Sequence, residues 1–257
     1  MNKRRLVQGA SVLAAVTLLL FWGIYQWSAT WLEEARPGVV QQLSASLGGE
    51  LSVGSVSWET PLSVVLRDTE LRTAAPGGVT LLTAQRIEVK LNPLRALGQL
   101  EPVKAVSEIK VEQPRVFIEQ DSQGTWPWEE FLRQRPEGES RLDADIILVE
   151  GTVHISLPRG AWNLGKLAGS VHISEESKTV LDLKTVFDGQ ELTAQGRWND
   201  EGQGLVNLQV PQLALSQLAP LLPAEAQIKN LTGSISQAGI FLRQEGSGRP
   251  AVNLDAQ

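Results

Sequence analysis

Two histidines, His154 and His172, are the side chains best suited to proton transfer or metal binding, and each lies between apolar strand neighbours, Val153/Ile155 and Val171/Ile173. Alternation places both on polar strand faces. A metal ion needs three or four ligands, and no nearby carboxylate has the spacing to complete a set, so both read as solvent-facing strand residues. Glu129-Glu130 and Glu175-Glu176 are carboxylate neighbours that point apart in any regular element, which excludes a shared acid–base role. The chain has no cysteine, hence no thiolate chemistry and no disulfide. It contains no nucleophile elbow, phosphate-binding glycine loop, dinucleotide fingerprint or H-E-x-x-H helix. Asn230-Leu231-Thr232 fits the glycosylation sequon, a short pattern that arises often by accident. The expectation is a protein with no catalytic, cofactor-binding or metal-ligating residues, and so not an enzyme.

The element from which the chain hangs is Leu6 to Trp27, a stretch without a charge that follows Lys3-Arg4-Arg5. As a helix these residues reach roughly 33 Å, enough to cross the hydrocarbon core of a bilayer. The basic triplet (residues 1–5 as a cytoplasmic tail) marks the inside, and Trp22, Tyr25, Trp27 and Trp31 gather near the other end as an interfacial belt. The alternative is a cleaved signal with Val12 to Ile24 as its apolar region. Gln26-Trp27-Ser28-Ala29-Thr30-Trp31 offers no pair of small residues suited to cleavage, which favours an uncut, single-pass anchor. Either way the remaining chain leaves the cytoplasm. Its net charge of −6 becomes about −9 once the three basic residues stay inside, which disfavours binding to nucleic acid or anionic headgroups by general electrostatics.

Residues 28–49 read as an amphipathic helical region: Trp31, Ala35, Val39, Leu43 and Leu47 recur every four residues, interrupted at Pro37-Gly38 and stopped by Gly48-Gly49. Beyond them the period becomes two. Leu51 and Val53 alternate, the phase slips at Gly54-Ser55 as at a β-bulge, and Val56 and Trp58 take over. Strands are expected over Leu62–Leu71, Leu81–Leu91, Val103–Glu112 and Arg115–Gln120, with short helices over Leu94–Leu100 and from Trp126 to Leu132. Together 50–132 form an N-terminal β domain, and the polar run 133–140 a linker or exposed loop. Residues 141–257 are strand-rich: Ala144–Val149, Thr152–Leu157, Lys166–Ile173, Thr179–Phe187, Glu191–Trp198, Leu205–Val210, Ile228–Ser236, Ile240–Arg243 and Val252–Leu254, with a helical insertion over Leu213–Leu222. A weak repeat, apolar-x-Gly-hydroxyl-strand, recurs at Val149–Ile155, Leu167–Ile173 and Leu231–Ile235; its glycine lets a strand bend before a regular pleat. Alternation puts Val153/Ile155/Leu157, Leu181/Leu183 and Leu192/Ala194/Trp198 on one apolar face.

The order of these features resembles the N-terminal region of the AsmA/TamB-like family of inner-membrane-anchored periplasmic proteins. Leu51-Ser52-Val53-Gly54-Ser55-Val56 looks like its first strand and bulge, and Leu82 to Val89 like its strand before a short helix. Val111 to Trp126 looks like its strand, Pro, strand, Asp-x-x-Gly-x-Trp run, and "LSQLAPLLPAEAQIKNLTGSIS" is similar to its helix-then-Gly-strand units. The resemblance implies a mainly β fold: a transmembrane helix and an amphipathic helix, then an antiparallel, elongated and curved, groove-like β-sheet with a few short helices. It implies localisation to the inner membrane with the C-terminal region in the periplasm. It also implies a part in phospholipid transport between membranes or outer-membrane assembly, with phospholipid and an outer-membrane assembly protein as partners. Val153, Ile155, Leu157, Leu181, Leu183, Leu192 and Trp198 are then the candidate lipid-facing residues. The alternative class is an anchored periplasmic β-domain that docks a protein and handles no lipid. The chain breaks off in mid-pattern at Val252–Gln257, as expected of a piece of a longer protein.

Overall fold

The computed structural model describes residues 40, 44, 49–60, 62–74, 78–93, 105–120, 124–128, 131, 143–158, 160–174, 178–199, 203–214, 216, 233–244 and 251–256. The expected membrane helix Leu6–Trp27, most of the amphipathic region, the short helix Leu94–Leu100, the loop 133–140, Glu129-Glu130, Glu175-Glu176 and the sequon lie outside these residues. Among the described residues no helix is long and apolar enough to cross a membrane.

Among the described residues, alternation gives a mainly β structure of twelve strands in one sheet. They are β1 (Gly49–Thr60), β2 (Ser63–Thr73), β3 (Thr80–Leu91), β4 (Val106–Glu112), β5 (Arg115–Glu119) and β6 (Ala144–Leu157), followed by β7 (Gly160–Ile173), β8 (Lys178–Phe187), β9 (Gln190–Asn199), β10 (Gly204–Ala214), β11 (Ser234–Gln244) and β12 (Ala251–Ala256). The order follows the chain, β1-β2-β3-β4-β6-β7-β8-β9-β10-β11-β12, with β5 set between β3 and β6.

The expectation of an antiparallel sheet needs one correction. β6 runs parallel to β4 and β5, pairing Ile109 with Ile146 and Val116 with Val153. β4 and β5 act as a single strand interrupted at Gln113-Pro114, because Gln113 N–H donates to Val149 O (2.8 Å) and Thr152 N–H to Pro114 O (2.7 Å) across the break. A parallel neighbour needs a long crossover, and the chain between β5 and β6 supplies it. Strands on both sides of 133–140 thus belong to one sheet. Four boundaries also differ. Ala144–Val149 and Thr152–Leu157 form one strand, β7 begins at Gly160 rather than Lys166, Leu213 and Ala214 are strand rather than helix, and Ile235 to Arg243 are continuous in β11.

The phase slip at Gly54-Ser55 is real, but it is not a bulge with an extra residue on one strand. Val53↔Thr69 and Ser55↔Arg67 keep one register, and the β1–β2 shift falls between Trp58 and Thr60. The neighbours from β2 to β6 slip at the same level, and β7 slips one row farther along. The apolar positions step by three, not two, from Val53 to Val56 in β1, Leu66 to Thr69 in β2, Ala84 to Ile87 in β3, Val111 to Pro114 at the β4–β5 break, Leu148 to Gly151 in β6 and Leu164 to Leu167 in β7. Asp68 (φ 51), Gln113 (φ 52), Glu150 (φ 55) and Lys166 (φ 53) occupy the steps in β2, at the β4–β5 break, in β6 and in β7 in the left-handed region, while β1 and β3 step without such a residue. Such a residue turns the pleat over, so apolar side chains stay on one face above and below the seam. Cluster membership agrees, since Leu51 and Val53 pack with Val56, Trp58, Val64 and Leu66. The seam is tightly closed: Val53, Thr69, Ala84, Pro114 and Leu167 beside it are all buried, and a Cβ on Gly151 would lie 2.7 Å from Pro114 Cγ.

Candidate functional site: a two-row apolar face

Residues directly paired across strands share a face, so the register traces that face through the sheet. One row runs Trp58, Val64, Val89, Ile109, Ile146, Val171, Leu181, Gly196 and Val206, and its register continues to Leu242 and Val252. The next runs Val56, Leu66, Ile87, Val111, Leu148, Gly169, Leu183, Ala194 and Leu208, continuing to Ile240 and Leu254. Neither row contains a polar residue. At about 4.8 Å per strand, the nine strands of this path from β1 to β10 make a face about 38 Å across.

The nominated side chains lie on this face. Leu181 and Leu183 belong to the two rows, and Leu183 faces Ala194. Leu192 is buried with Val210, where Leu164, Phe187 and Leu208 join them. Val153 pairs with Leu164 and Ile155 with Trp162, which meets Phe187 edge to face at 6.1 Å. Leu157, opposite Gly160, extends the alternating set to the end of β6. Trp198 lies opposite Gly204, where a Cβ would meet its indole Cδ1 at 2.0 Å, and its Cη2 reaches the space over Gly196. Absence of a side chain at Gly204 therefore lets the ring lie flat along the sheet. The sequence reading did not nominate Val171, Val206 or Leu208; strict alternation in their own strands was the signal for them.

Coverage of the face is uneven. At the β1–β3 end Val53, Val56 and Leu66 are buried, and the helical residue Val40 packs on them. Below the seam Phe131 and Trp128 cover Leu71 and Leu81. From β7 to β10 the row residues Val171, Leu181, Leu183, Ala194, Val206 and Leu208 remain partly exposed. Among the described residues no second layer lies over them.

The opposite face is charged. Lys90 pairs with Glu108 (2.6 Å), Lys110 with Glu112 (2.7 Å), Arg72 with Glu70 (2.8 Å), and Arg86 with Glu59 and Glu88. His172 bonds Asp145 (2.8 Å), and His154 bonds Asn163 (2.6 Å) beside the ring of Phe117. Both histidines thus sit on the polar face, and among the described residues no cluster of three potential ligands could hold a metal. Hydrogen bonds from Arg72 and Thr80 hold Glu70 below the ordinary value of 4.5, and one from Lys110 does the same for Glu112. A depressed folded-state pKa means that the unfolded chain takes up the proton first. The contribution is therefore full above pH 4.5 and is lost as pH falls below it. Glu112→Gln is expected to lower stability at pH 7 by at most about 1 kcal/mol, the pair being open to solvent. It should also make the acid limb of a melting-temperature profile shallower; an unchanged acid limb would mean that the pair does not form.

No family model and no curated protein matches the chain.

Proposed function

We propose that this chain is a non-enzymatic, inner-membrane-anchored envelope protein whose apolar sheet face carries the acyl chains of phospholipids, serving lipid transport between membranes or outer-membrane assembly. The observation that carries the reading is the pair of rows that cross eleven strands without a polar residue and lie partly exposed from β7 to β10. An apolar face this long, left partly exposed among the described residues, is costly in water and calls for an apolar occupant. The apolar segment Leu6–Trp27 and the acidic remainder agree with an anchored, exported chain. On this reading the sheet is elongated and groove-like, and the charged face meets solvent.

Photo-crosslinking side chains tests it in cells. Probes at Leu183 or Ile155, on the apolar face, are expected to capture phospholipid. Probes at Lys184 or His154, on the charged face, are not. Leu183→Asp should abolish capture while the domain stays folded, because a buried unpaired charge is costly in an acyl channel whereas an uncovered face leaves room for water. If Leu183→Asp unfolds the domain and no position captures lipid, the face is an ordinary core or a protein contact, and the protein-docking scaffold becomes the better account.

A further inference from the structure

The open part of the apolar face, from β7 to β10, changes character along its strands. At one end Ile173, Thr179, Trp198 and Gly204 pair across the four strands. Thr179, two residues from Leu181 and so on the same face, brings a hydroxyl, and Trp198 an indole N–H. Both residues are partly exposed, and among the described residues neither group has a hydrogen-bond partner. The other end is dry. Leu192 and Val210 are buried there and pack with Leu164, Phe187 and Leu208. The hydroxyl at that level, on Thr185, donates to Gly165 O at 2.9 Å. Between the two ends β8 to β10 present Leu181, Leu183, Ala194, Gly196, Val206 and Leu208.

Six residues of β9 lead from Trp198 to Leu192, about 20 Å. One leaflet of a bilayer's hydrocarbon core is about 15 Å deep, so an acyl chain laid along the strands fits between the ends. Trp198 stands where the apolar surface meets donors, the place an amphipathic indole takes at a membrane interface. Charge bears on the head group. The β7–β8 and β9–β10 hairpins close at this end, through Ser174 N–H to Lys178 O and Asn199 N–H to Gln203 O. Their connections, 175–177 and 200–202, carry Glu175, Glu176, Asp200 and Glu201 and no cation. Lys178 and Arg197 on the adjoining strands offset half of that charge. Such an end attracts an ammonium and repels a head group of net negative charge.

Given the phospholipid reading above, we propose that the lipid lies along β8 to β10 with its ester and head-group end at Thr179 and Trp198 and its acyl termini at Phe187 and Leu192, a zwitterionic, ammonium-bearing head group being preferred to an anionic one. Trp198 Nε1 and the Thr179 hydroxyl donate to ester or phosphate oxygens, and the ammonium faces the acidic hairpins.

Photoreactive phospholipids test this on the full-length protein in detergent micelles, with the marked residues read by peptide mass spectrometry. A phosphatidylethanolamine with a diazirine next to its ester is expected to mark Thr179 and Trp198. The same lipid with the diazirine at its acyl terminus should mark Leu164, Phe187 and Leu192. A phosphatidylglycerol probe with the same chains should mark the face about fivefold less at low salt. Reversed or identical marking by the two diazirine positions overturns the orientation, and equal marking by the two head groups overturns the preference; in both cases the face still holds lipid. Marking by no probe anywhere on the face overturns the orientation together with the phospholipid reading.

Discussion

Gly169→Ala is expected to destabilise the chain by at least about 3 kcal/mol, a large effect for a single methyl group. Gly169 has a φ of +140, where an L side chain is strained. A Cβ there would lie 2.1 Å from Asp182 O and 2.8 Å from Leu183 Cα. Both are backbone atoms of β8, so no rotamer change relieves the clash and β7 must part from β8. Gly165, four residues earlier on the same strand, has nothing within 4 Å of its hypothetical Cβ. Gly165→Ala should therefore stay within about 1 kcal/mol of the parent. Denaturant unfolding of the two variants side by side measures the contrast. Equal midpoints would mean that Gly169 and Leu183 are not paired as described.

Phe131→Ala is expected to cost about 3–5 kcal/mol, the range for deleting a buried aromatic ring. Phe131 is 6% exposed and packs with Leu71 and with Leu81, itself only 1% exposed. Its ring meets Trp128 edge to face at 5.8 Å, and a Cβ on Gly49 would lie 2.8 Å from its Cε2. Trp128 Nε1 donates to Phe117 O at 2.5 Å. The β5–β6 connection is thus fastened to the sheet at two points, and losing the ring should also speed proteolysis within residues 120–143. An unchanged midpoint together with unchanged cleavage would sink this account of the connection.

Much of this was legible in the sequence because a pleat has a period of two. Leu192-Ala194-Gly196-Trp198 and Leu181-Leu183 gave both the strands and the face they share. Breaks were harder to read. Glu150 carries no turn signature, yet its left-handed backbone (φ 55) keeps Ala144–Leu157 in one strand where alternation alone implied two. Gly160-Ala161-Trp162-Asn163-Leu164-Gly165 is poor in β-branched residues, and its place in β7 comes from pairing with β6 rather than from propensity. The parallel pairing of β4 and β5 with β6 was beyond reach, because strand direction depends on the route of the chain through 120–143 and not on any local pattern. The two rows emerge only when the registers are laid side by side, since each strand contributes just two of their positions. The role of the face in lipid handling stands on the experiment proposed above.

The near-sequential strand order has a kinetic consequence. From β6 onward every strand pairs with its predecessor in the chain, and the connections into β7, β8, β9 and β10 span between two and four residues. Closing loops this short costs little entropy, so this part of the sheet can grow like a zipper, each strand templated by the one before it. Two junctions must wait for a distant partner: β6 has to find β4 and β5 across residues 120–143, and β11 has to find β10 across residues 215–233. Slow, topology-limited steps of folding should therefore concentrate at these junctions, and a chain delivered from its N-terminus would meet the longer search before the regular laying-down of β7 to β10 begins.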